Sequence, residues 1–148
     1  SRESGYTRVI RIEEMYLILA EAYAHKTDGM KKAVDYLNTL RVEKFREGEY
    51  TPLKVEDFNQ NTLLEFVMKE RRLELCFEGH RWFDLRRQGM PEIKHTYKAE
   101  KGGAVYEYVL QQGDPMYTLP FPNSVVLQNR ALVQNPSREM GARQGEIQ

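Results

Sequence analysis

The stretch from Val9 to Ala24, VIRIEEMYLILAEAYA, decides the fold class of the chain. Its large apolar side chains recur at steps of three and four residues: Val9, Ile12, Tyr16, Leu19 and Tyr23. Because an α-helix completes one turn in about 3.6 residues, this spacing places them along one side of a helix. The stretch therefore predicts a first amphipathic helix with these five side chains turned inward.

A second amphipathic helix is predicted after the turn signal Asp28-Gly29, and it should end near Gly48. Its inward side chains would be Ala33, Tyr36, Leu37 and Leu40. Two such helices on a short connector form an antiparallel hairpin, which we place at residues 8–48. The small and aromatic positions lie near those of a tetratricopeptide repeat, with a one-residue offset. Because one repeat cannot bury its own apolar face, we expect further helices beside the pair.

Residues 61–89 predict two of these further helices. The longer one would cover about Leu63–Glu78, with Asn61 or Thr62 as its N-cap. The shorter one would cover His80–Gln88, because a glycine and then a proline follow and stop it.

The chain beyond these helices predicts a small β-hairpin and an irregular tail. Strands at Val105–Leu110 and Met116–Leu119 would flank the turn residues Gly113-Asp114-Pro115, which places the hairpin within residues 104–120. Proline and asparagine punctuate residues 121–148, so little regular structure is expected there. The predicted fold class is mainly α: a tetratricopeptide-like helix hairpin, further helices, a small β-hairpin and an irregular tail.

Two carboxylates of the third helix, Glu70 and Glu74, are candidates for either chemistry or structure. A helical wheel places both in the arc of the apolar side chains Leu63, Phe66, Val67 and Phe77. Glycosidases use paired carboxylates about 5–10 Å apart, which one helical turn permits. Buried carboxylates otherwise need cationic partners. We interpret the pair as part of a structural ion-pair network formed by Arg41, Glu70, Arg71, Glu74, Arg81 and Asp84.

The residue pattern predicts no catalytic nucleophile, no metal site and no cofactor. His80 and Asp84 have a spacing that could bind one metal ion, but no third ligand stands at a comparable spacing. A charge ladder of Arg81, Asp84 and Arg87 on the helix surface is the simpler interpretation. Cys76, the single cysteine, has no base beside it in the sequence.

Aromatic side chains are the candidates for ligand binding. Sugars stack their C–H faces on flat rings in clefts that hold a few polar groups. We select Tyr97, Tyr106 and Tyr108 around the predicted hairpin as candidate ligand-binding residues, with packing in a core as the alternative. The aromatic residues expected in the core are Trp82 and Phe83.

The charge balance and the hydropathy argue against a nucleic-acid-binding surface and against a membrane-spanning helix. The 22 basic and 22 acidic residues cancel and are interspersed, so the basic surface that binds nucleic acid is not expected. No apolar run approaches the roughly 20 residues that span a bilayer as a helix.

Three blocks of this sequence resemble the C-terminal part of the SusD/RagB family. The first is Arg11–Ala22, RIEEMYLILAEA, with Leu37–Arg41 after it. The second and most specific is Glu70–Arg87, ERRLELCFEGHRWFDLRR. The third is Leu119–Pro122 followed by Asn129–Leu132 and Gln134–Pro136.

The resemblance implies a fold, a location and a function. It makes residues 1–148 the C-terminal domain of a longer α-helical lipoprotein on the outer face of the outer membrane. Such proteins bind oligosaccharides or other nutrients without chemistry and deliver them to a SusC-type TonB-dependent transporter. A lipid anchor outside this fragment would provide the membrane attachment. Because the family's sugar contacts lie mainly upstream and in variable loops, the resemblance assigns no binding residue here.

Two other functions stay open on sequence grounds. One is a glycoside hydrolase that uses Glu70 and Glu74, and the other is a tetratricopeptide-like scaffold that binds protein partners. Glycan turnover that Glu70→Gln abolishes would favour the hydrolase. Capture of peptides without sugar binding would favour the scaffold.

Overall fold

The computed structural model describes residues 11–129, 131–139 and 145–147. The chain forms two units that meet in sequence between Gly79 and His80. We call residues 11–79 the helical unit and the described residues from His80 onward the hairpin unit. In the part of the chain that the structure describes, no helix is both long enough and apolar enough to cross a bilayer.

Three helices form the helical unit: α1 (Ile12–Ala24), α2 (Met30–Val42) and α3 (Gln60–Glu74). Helix α1 packs against both α2 and α3. A short 3-10 turn at Val55–Asp57 lies in the connection between α2 and α3. The predicted tetratricopeptide-like hairpin corresponds to α1 and α2, although α2 ends at Val42 and not near Gly48.

The apolar core of the helical unit draws on all three helices. Its buried side chains include Leu17, Ala20, Ala33, Leu37, Leu40, Leu63 and Val67. Burial of this apolar area is the main favourable contribution to the stability of the unit. The inward residues predicted for α2 are confirmed, with Tyr36 half-buried beside the fully covered ones.

The inward stripe predicted for α1 is largely wrong. The helix buries Leu17, Ala20 and Ala24, whereas Ile12 is 65% exposed and Leu19 is also exposed. Only the two tyrosines of the predicted stripe pack against the core, and Val9 lies outside the described residues. The helix is apolar on nearly every side, so its periodicity does not identify the buried face.

Helix α3 begins at Gln60, three residues earlier than predicted. Asn59 is its N-cap: the Asn59 side chain accepts from the backbone N–H of Thr62, whose hydroxyl accepts from the backbone N–H of Asn59. This reciprocal capping box fixes the start of the helix. At the other end α3 stops at Glu74, and Phe77 adopts a left-handed backbone with φ of 64°. The ring of Phe77 is fully exposed, which contradicts its predicted place in the buried arc.

The hairpin unit begins with α4 (His80–Arg87) and continues with three strands. Strand β1 (Ile93–Lys98) pairs antiparallel with β2 (Val105–Leu110), and β2 pairs antiparallel with β3 (Glu146–Ile147). The strand at 105–110 is as predicted, but its partner lies upstream and not at 116–119. The loop between β1 and β2 contains Gly102 with a φ of 88°, a conformation that glycine adopts readily.

Residues predicted to form the second strand make a 3-10 turn at Pro115–Tyr117 instead. The Asp114 carboxylate accepts from the backbone N–H of Met116 at 2.8 Å and so caps this turn. The turn buries the Tyr117 side chain completely. The Tyr117 ring stacks on Trp82 with centroids 4.9 Å apart, and its hydroxyl donates to the carbonyl of Pro91 at 2.5 Å. A strand would have left Asp114 without this capping role.

The tail contains helix α5 (Asn123–Gln128), but side-chain hydrogen bonds organise most of it. The Gln134 side chain accepts from the backbone N–H of Phe121 and donates to its carbonyl. Asn135 donates to the carbonyl of Leu119, and the Ser137 hydroxyl donates to the carbonyl of Thr118. The bonds of Gln134 and Asn135 connect the two parts of the third sequence block. Together the helices, the small sheet and this irregular tail confirm the predicted mainly α fold class.

Candidate functional site

The predicted ion-pair residues of the helical unit all form ion pairs. The partner of Arg41 lies within the predicted network, whereas the partners of Arg71 and Glu74 lie outside it. Arg41 pairs with Glu70 at 2.5 Å. Arg71 pairs with Glu14 of α1 at 3.2 Å. The Glu74 carboxylate accepts from Arg11 at 2.6 Å and from Lys44 at 2.8 Å. The first and second sequence blocks are therefore joined to each other by charge.

Arg11 lies at the centre of the largest of these clusters. Its guanidinium also pairs with Glu13 and Glu78. The side-chain hydrogen bonds to Glu13 and then to Glu78 raise the pKa of Arg11. The pKa of Glu13 is lowered, first by a hydrogen bond from its own backbone N–H and then by the bond from Arg11. Sequence reasoning missed Arg11 and Glu14 because they sit near the start of α1, about 60 residues from their partners.

This arrangement bears on the hydrolase alternative. Glu70 and Glu74 are each mostly buried and each already bonded to a cationic side chain. A glycosidase carboxyl pair must face a cleft that admits a sugar. The cations occupy the positions next to the carboxylates, so the geometry favours a role in holding the helices together.

The predicted charges of α4 behave differently. Asp84 is buried and pairs with Arg87 of the same helix at 2.9 Å, whereas Arg81 is exposed. A ladder on the helix surface is therefore the wrong interpretation for Asp84. Among residues 11–129, 131–139 and 145–147, no group of three or more His, Cys, Asp or Glu side chains is placed to hold a metal ion.

The candidate aromatic residues come together on the hairpin of β1 and β2. In the register of the sheet Tyr97 stands opposite Tyr106, and His95 stands opposite Tyr108. Because opposed residues of an antiparallel pair point to the same face, the three tyrosines and His95 share one face of the sheet. We call these four residues the tyrosine face. Sequence reasoning missed His95 because the strand that carries it was not predicted.

The tyrosine face is open to solvent. Tyr97 is 57% exposed and Tyr108 is 38% exposed, while Tyr106 is half-buried between them. Of the aromatic residues predicted for the core, Trp82 is half-buried on Tyr117, but Phe83 is exposed. Exposed aromatic rings gathered on one surface are the exception in a folded protein and often mark a binding site.

The opposite face of the hairpin is charged. Lys94, Lys98 and Glu107 lie there by register. The pKa of Lys94 is raised, first by its hydrogen bond to Glu92 and also by the charge of Glu107. The same face also carries Thr96, Val105 and Val109 by register, so the lysine and glutamate side chains of the hairpin lie on the side away from the tyrosines.

Comparison with known proteins places the chain in a family. The model of the SusD family matches residues 1–137. SusD-like protein P2 from Formosa agariphila is 37% identical over 89 residues, which are 58% of this chain and 18% of that protein. SusD-like protein P25 from the same organism is 32% identical over 82 residues, which are 55% of this chain and 15% of that protein.

A solved structure agrees with these relatives. The crystal structure of a SusD-like carbohydrate binding protein from Bacteroides vulgatus superposes with a TM-score of 0.52 at 25% identity. The superposition covers 84% of this chain and 29% of that one. The chain thus spans less than a third of the length of each of these relatives. Because the family model matches most of its residues, the chain belongs to the SusD family.

Proposed function

We propose that this chain works as part of a longer SusD-type protein that binds a glycan or other nutrient at the cell surface. That protein delivers its ligand to a SusC-type TonB-dependent transporter without chemical conversion. It lies on the outer face of the outer membrane through a lipid anchor outside these residues. Family membership supports the proposal, as does the likeness to a solved protein described as carbohydrate binding.

The observation that carries a binding role for this part of the protein is the tyrosine face. Tyr97 and Tyr106 are opposed in register, and Tyr97 presents more than half of its surface to solvent. Flat rings present an apolar surface to the C–H groups of a sugar, and tyrosine hydroxyls add hydrogen bonds at the edge. The face combines these properties on strands, which hold side chains more firmly than loops do.

The absence of chemistry in this proposal draws on the ion pairs of the helical unit. Glu70 and Glu74 are the strongest candidates for a catalytic pair, and both are bonded to arginine or lysine. Their role in the proposal is to join α1, α2 and α3. A glycan panel that shows turnover, lost in Glu70→Gln, would contradict it.

The experiment that tests ligand binding is calorimetric titration with glycans selected on an array. We expect Tyr97→Ala to weaken binding by about tenfold, equivalent to ~1.4 kcal/mol. Phe83→Ala is the matched control, because Phe83 is equally exposed in the same unit but lies on α4. Equal binding by wild type and Tyr97→Ala would place the sugar contacts elsewhere in the longer protein.

Delivery to a transporter requires its own test. The longer protein should co-purify with a SusC-type transporter from outer membranes, and the complex should withstand removal of the glycan. A protein that purifies alone from gently solubilised membranes would contradict this part of the proposal and leave ligand binding unaffected.

A further inference from the structure

At the edge of the sheet beyond the tyrosine face, the chain beside β3 comes unusually close to side chains of β2. Strand β3 pairs with β2 so that Ile147 stands opposite Tyr106 and Glu146 opposite Glu107. Gly145 directly precedes β3, and continuing this register by one residue would place it beside Tyr108. A glycine at this position of a sheet usually marks a place where a neighbouring group comes too close for a side chain.

The distances around Gly145 identify that group. A Cβ atom added at Gly145 would lie 2.8 Å from Cε2 and 2.9 Å from Cζ of the Tyr108 ring. It would also lie 2.8 Å from Cβ of Tyr106. Contacts this short require a neighbouring group to move, so the ring of Tyr108 and Cβ of Tyr106 together occupy the volume that a side chain at position 145 would fill. An aromatic side chain that covers a glycine on the adjacent strand is a known way to fix the ring and the strand edge together.

We propose that Gly145 is a positioning residue for the tyrosine face: because it lacks a side chain, the Tyr108 ring rests against the chain directly before β3, and the segment that carries β3 becomes part of the ligand-binding surface. The inference rests on the proposed function for its ligand, but not for the contact itself. It extends the site from the two-stranded hairpin to a third strand nearly 40 residues later in the chain.

A purely structural role for Gly145 would give a different pattern of effects when Gly145→Ala is compared with and without the Tyr108 ring. If the glycine served only to let β3 pair with β2, an alanine there would have the same effect whether or not the Tyr108 ring is present. The contact with Cβ of Tyr106 persists in both cases. The difference between the two backgrounds therefore isolates the contribution of the ring, as a double-mutant cycle does.

The experiment uses the full 148-residue chain labelled with 3-fluorotyrosine. The fluorine signal of Tyr108 is assigned by its loss in Tyr108→Phe. We expect Gly145→Ala to shift this signal and to weaken glycan binding by about tenfold. In a Tyr108→Ala background we expect Gly145→Ala to change glycan affinity less than twofold.

Gly103→Ala is the matched control. Its new Cβ would have Glu100 O as its nearest neighbour at 3.4 Å, and Gly103 does not have a positive φ. It should alter neither the Tyr108 signal nor the affinity. An unchanged Tyr108 signal in Gly145→Ala would overturn the positioning role, and a shifted signal with unchanged affinity would exclude β3 from the ligand surface. If the wild-type chain binds no glycan, the signal still tests the contact, and only the binding role proposed for the tyrosine face fails.

Discussion

The helical unit and the hairpin unit are stabilised by different kinds of contact. The helical unit buries a continuous apolar cluster around Leu17, Leu37 and Leu63. In the hairpin unit the buried set is mixed, with Tyr117 and Leu85 beside the polar residues Asp84, Asp114 and Ser137. Apolar burial is tolerant of small shifts, whereas buried polar groups must keep their hydrogen bonds. Among the described residues the helical unit buries one polar side chain, Arg71, and the hairpin unit buries three, so the unit with the exposed tyrosine face depends more on individual hydrogen bonds.

Trp82 makes this comparison measurable. It is the single tryptophan of the chain and stacks on Tyr117 in the hairpin unit. Its fluorescence therefore follows unfolding of the hairpin unit, while far-ultraviolet circular dichroism is dominated by the helices of the helical unit. If both signals move together in every variant below, the two units unfold as one and the comparison fails.

The largest expected effect is in the apolar core. Leu37→Ala should lower the free energy of unfolding of the helical unit by about 2–5 kcal/mol, because it removes a fully buried side chain and leaves a cavity. Urea denaturation followed by circular dichroism measures the change. Leu73→Ala on the exposed side of α3 is the control and should cost less than about 0.5 kcal/mol.

The next largest effect tests whether the ion pairs add to the stability of the helical unit. Glu74→Gln should lower the free energy of unfolding by about 1–3 kcal/mol, because the carboxylate bonds to both Arg11 and Lys44. Glu65→Gln makes the same chemical change at an exposed position of α3 and should be nearly neutral. Equal and small effects in both would mean that the apolar cluster alone holds the three helices. Denaturation in urea, which leaves the ionic strength unchanged, is the appropriate measurement.

A smaller effect is expected in the hairpin unit. Tyr117→Phe removes the hydroxyl that donates to Pro91 but keeps the ring on Trp82, and it should cost about 0.5–1.5 kcal/mol. Tryptophan fluorescence during urea denaturation follows it. Tyr97→Phe removes an exposed hydroxyl from the same unit and serves as the control. If the two variants are equally stable, the hydroxyl of Tyr117 contributes nothing to the stability of the hairpin unit. The proposed dependence of this unit on individual hydrogen bonds would then be wrong.

The smallest expected effect is an increase in stability. Phe77 holds a left-handed backbone that costs an ordinary residue about 1–2 kcal/mol, and its exposed ring returns no burial. Phe77→Gly should raise the free energy of unfolding by about 0.5–1 kcal/mol, after the greater chain entropy of glycine is included. A loss of stability on circular dichroism would show that the ring has a partner.

Periodicity predicted the fold best where a helix has one apolar side. Helix α2 carries charged or polar residues opposite Ala33 and Leu37, so its buried face was predicted as observed. Helix α1 is apolar on most sides, and the choice between Leu17 and Leu19 depends on packing that only the neighbouring helices determine. The position of the α3 cap was missed because three polar residues near its start could each have filled that role, and the structure uses Asn59.

The candidate site was only partly predictable, for a similar reason. Tyr97, Tyr106 and Tyr108 were identified as aromatic residues around the predicted hairpin, but their shared face depends on a strand pairing that was predicted incorrectly. Residues 93–98 are mostly polar and exposed, so no alternation of apolar side chains marks them as a strand. The contact between Gly145 and Tyr108 joins residues far apart in sequence, and local patterns carry no information about it.

The exposed ring of Phe77 also determines where a protease would cut this molecule. Chymotrypsin-like enzymes accept an aromatic side chain in a hydrophobic pocket, and they cleave exposed segments outside regular structure first. Residues 76–79 are all exposed and lie between the end of α3 and the start of α4. Among the described residues outside helices and strands, Phe77 is the most exposed aromatic residue, so brief digestion should cleave after it. The resulting peptides would carry the apolar helix cluster on one piece and the tyrosine face on the other.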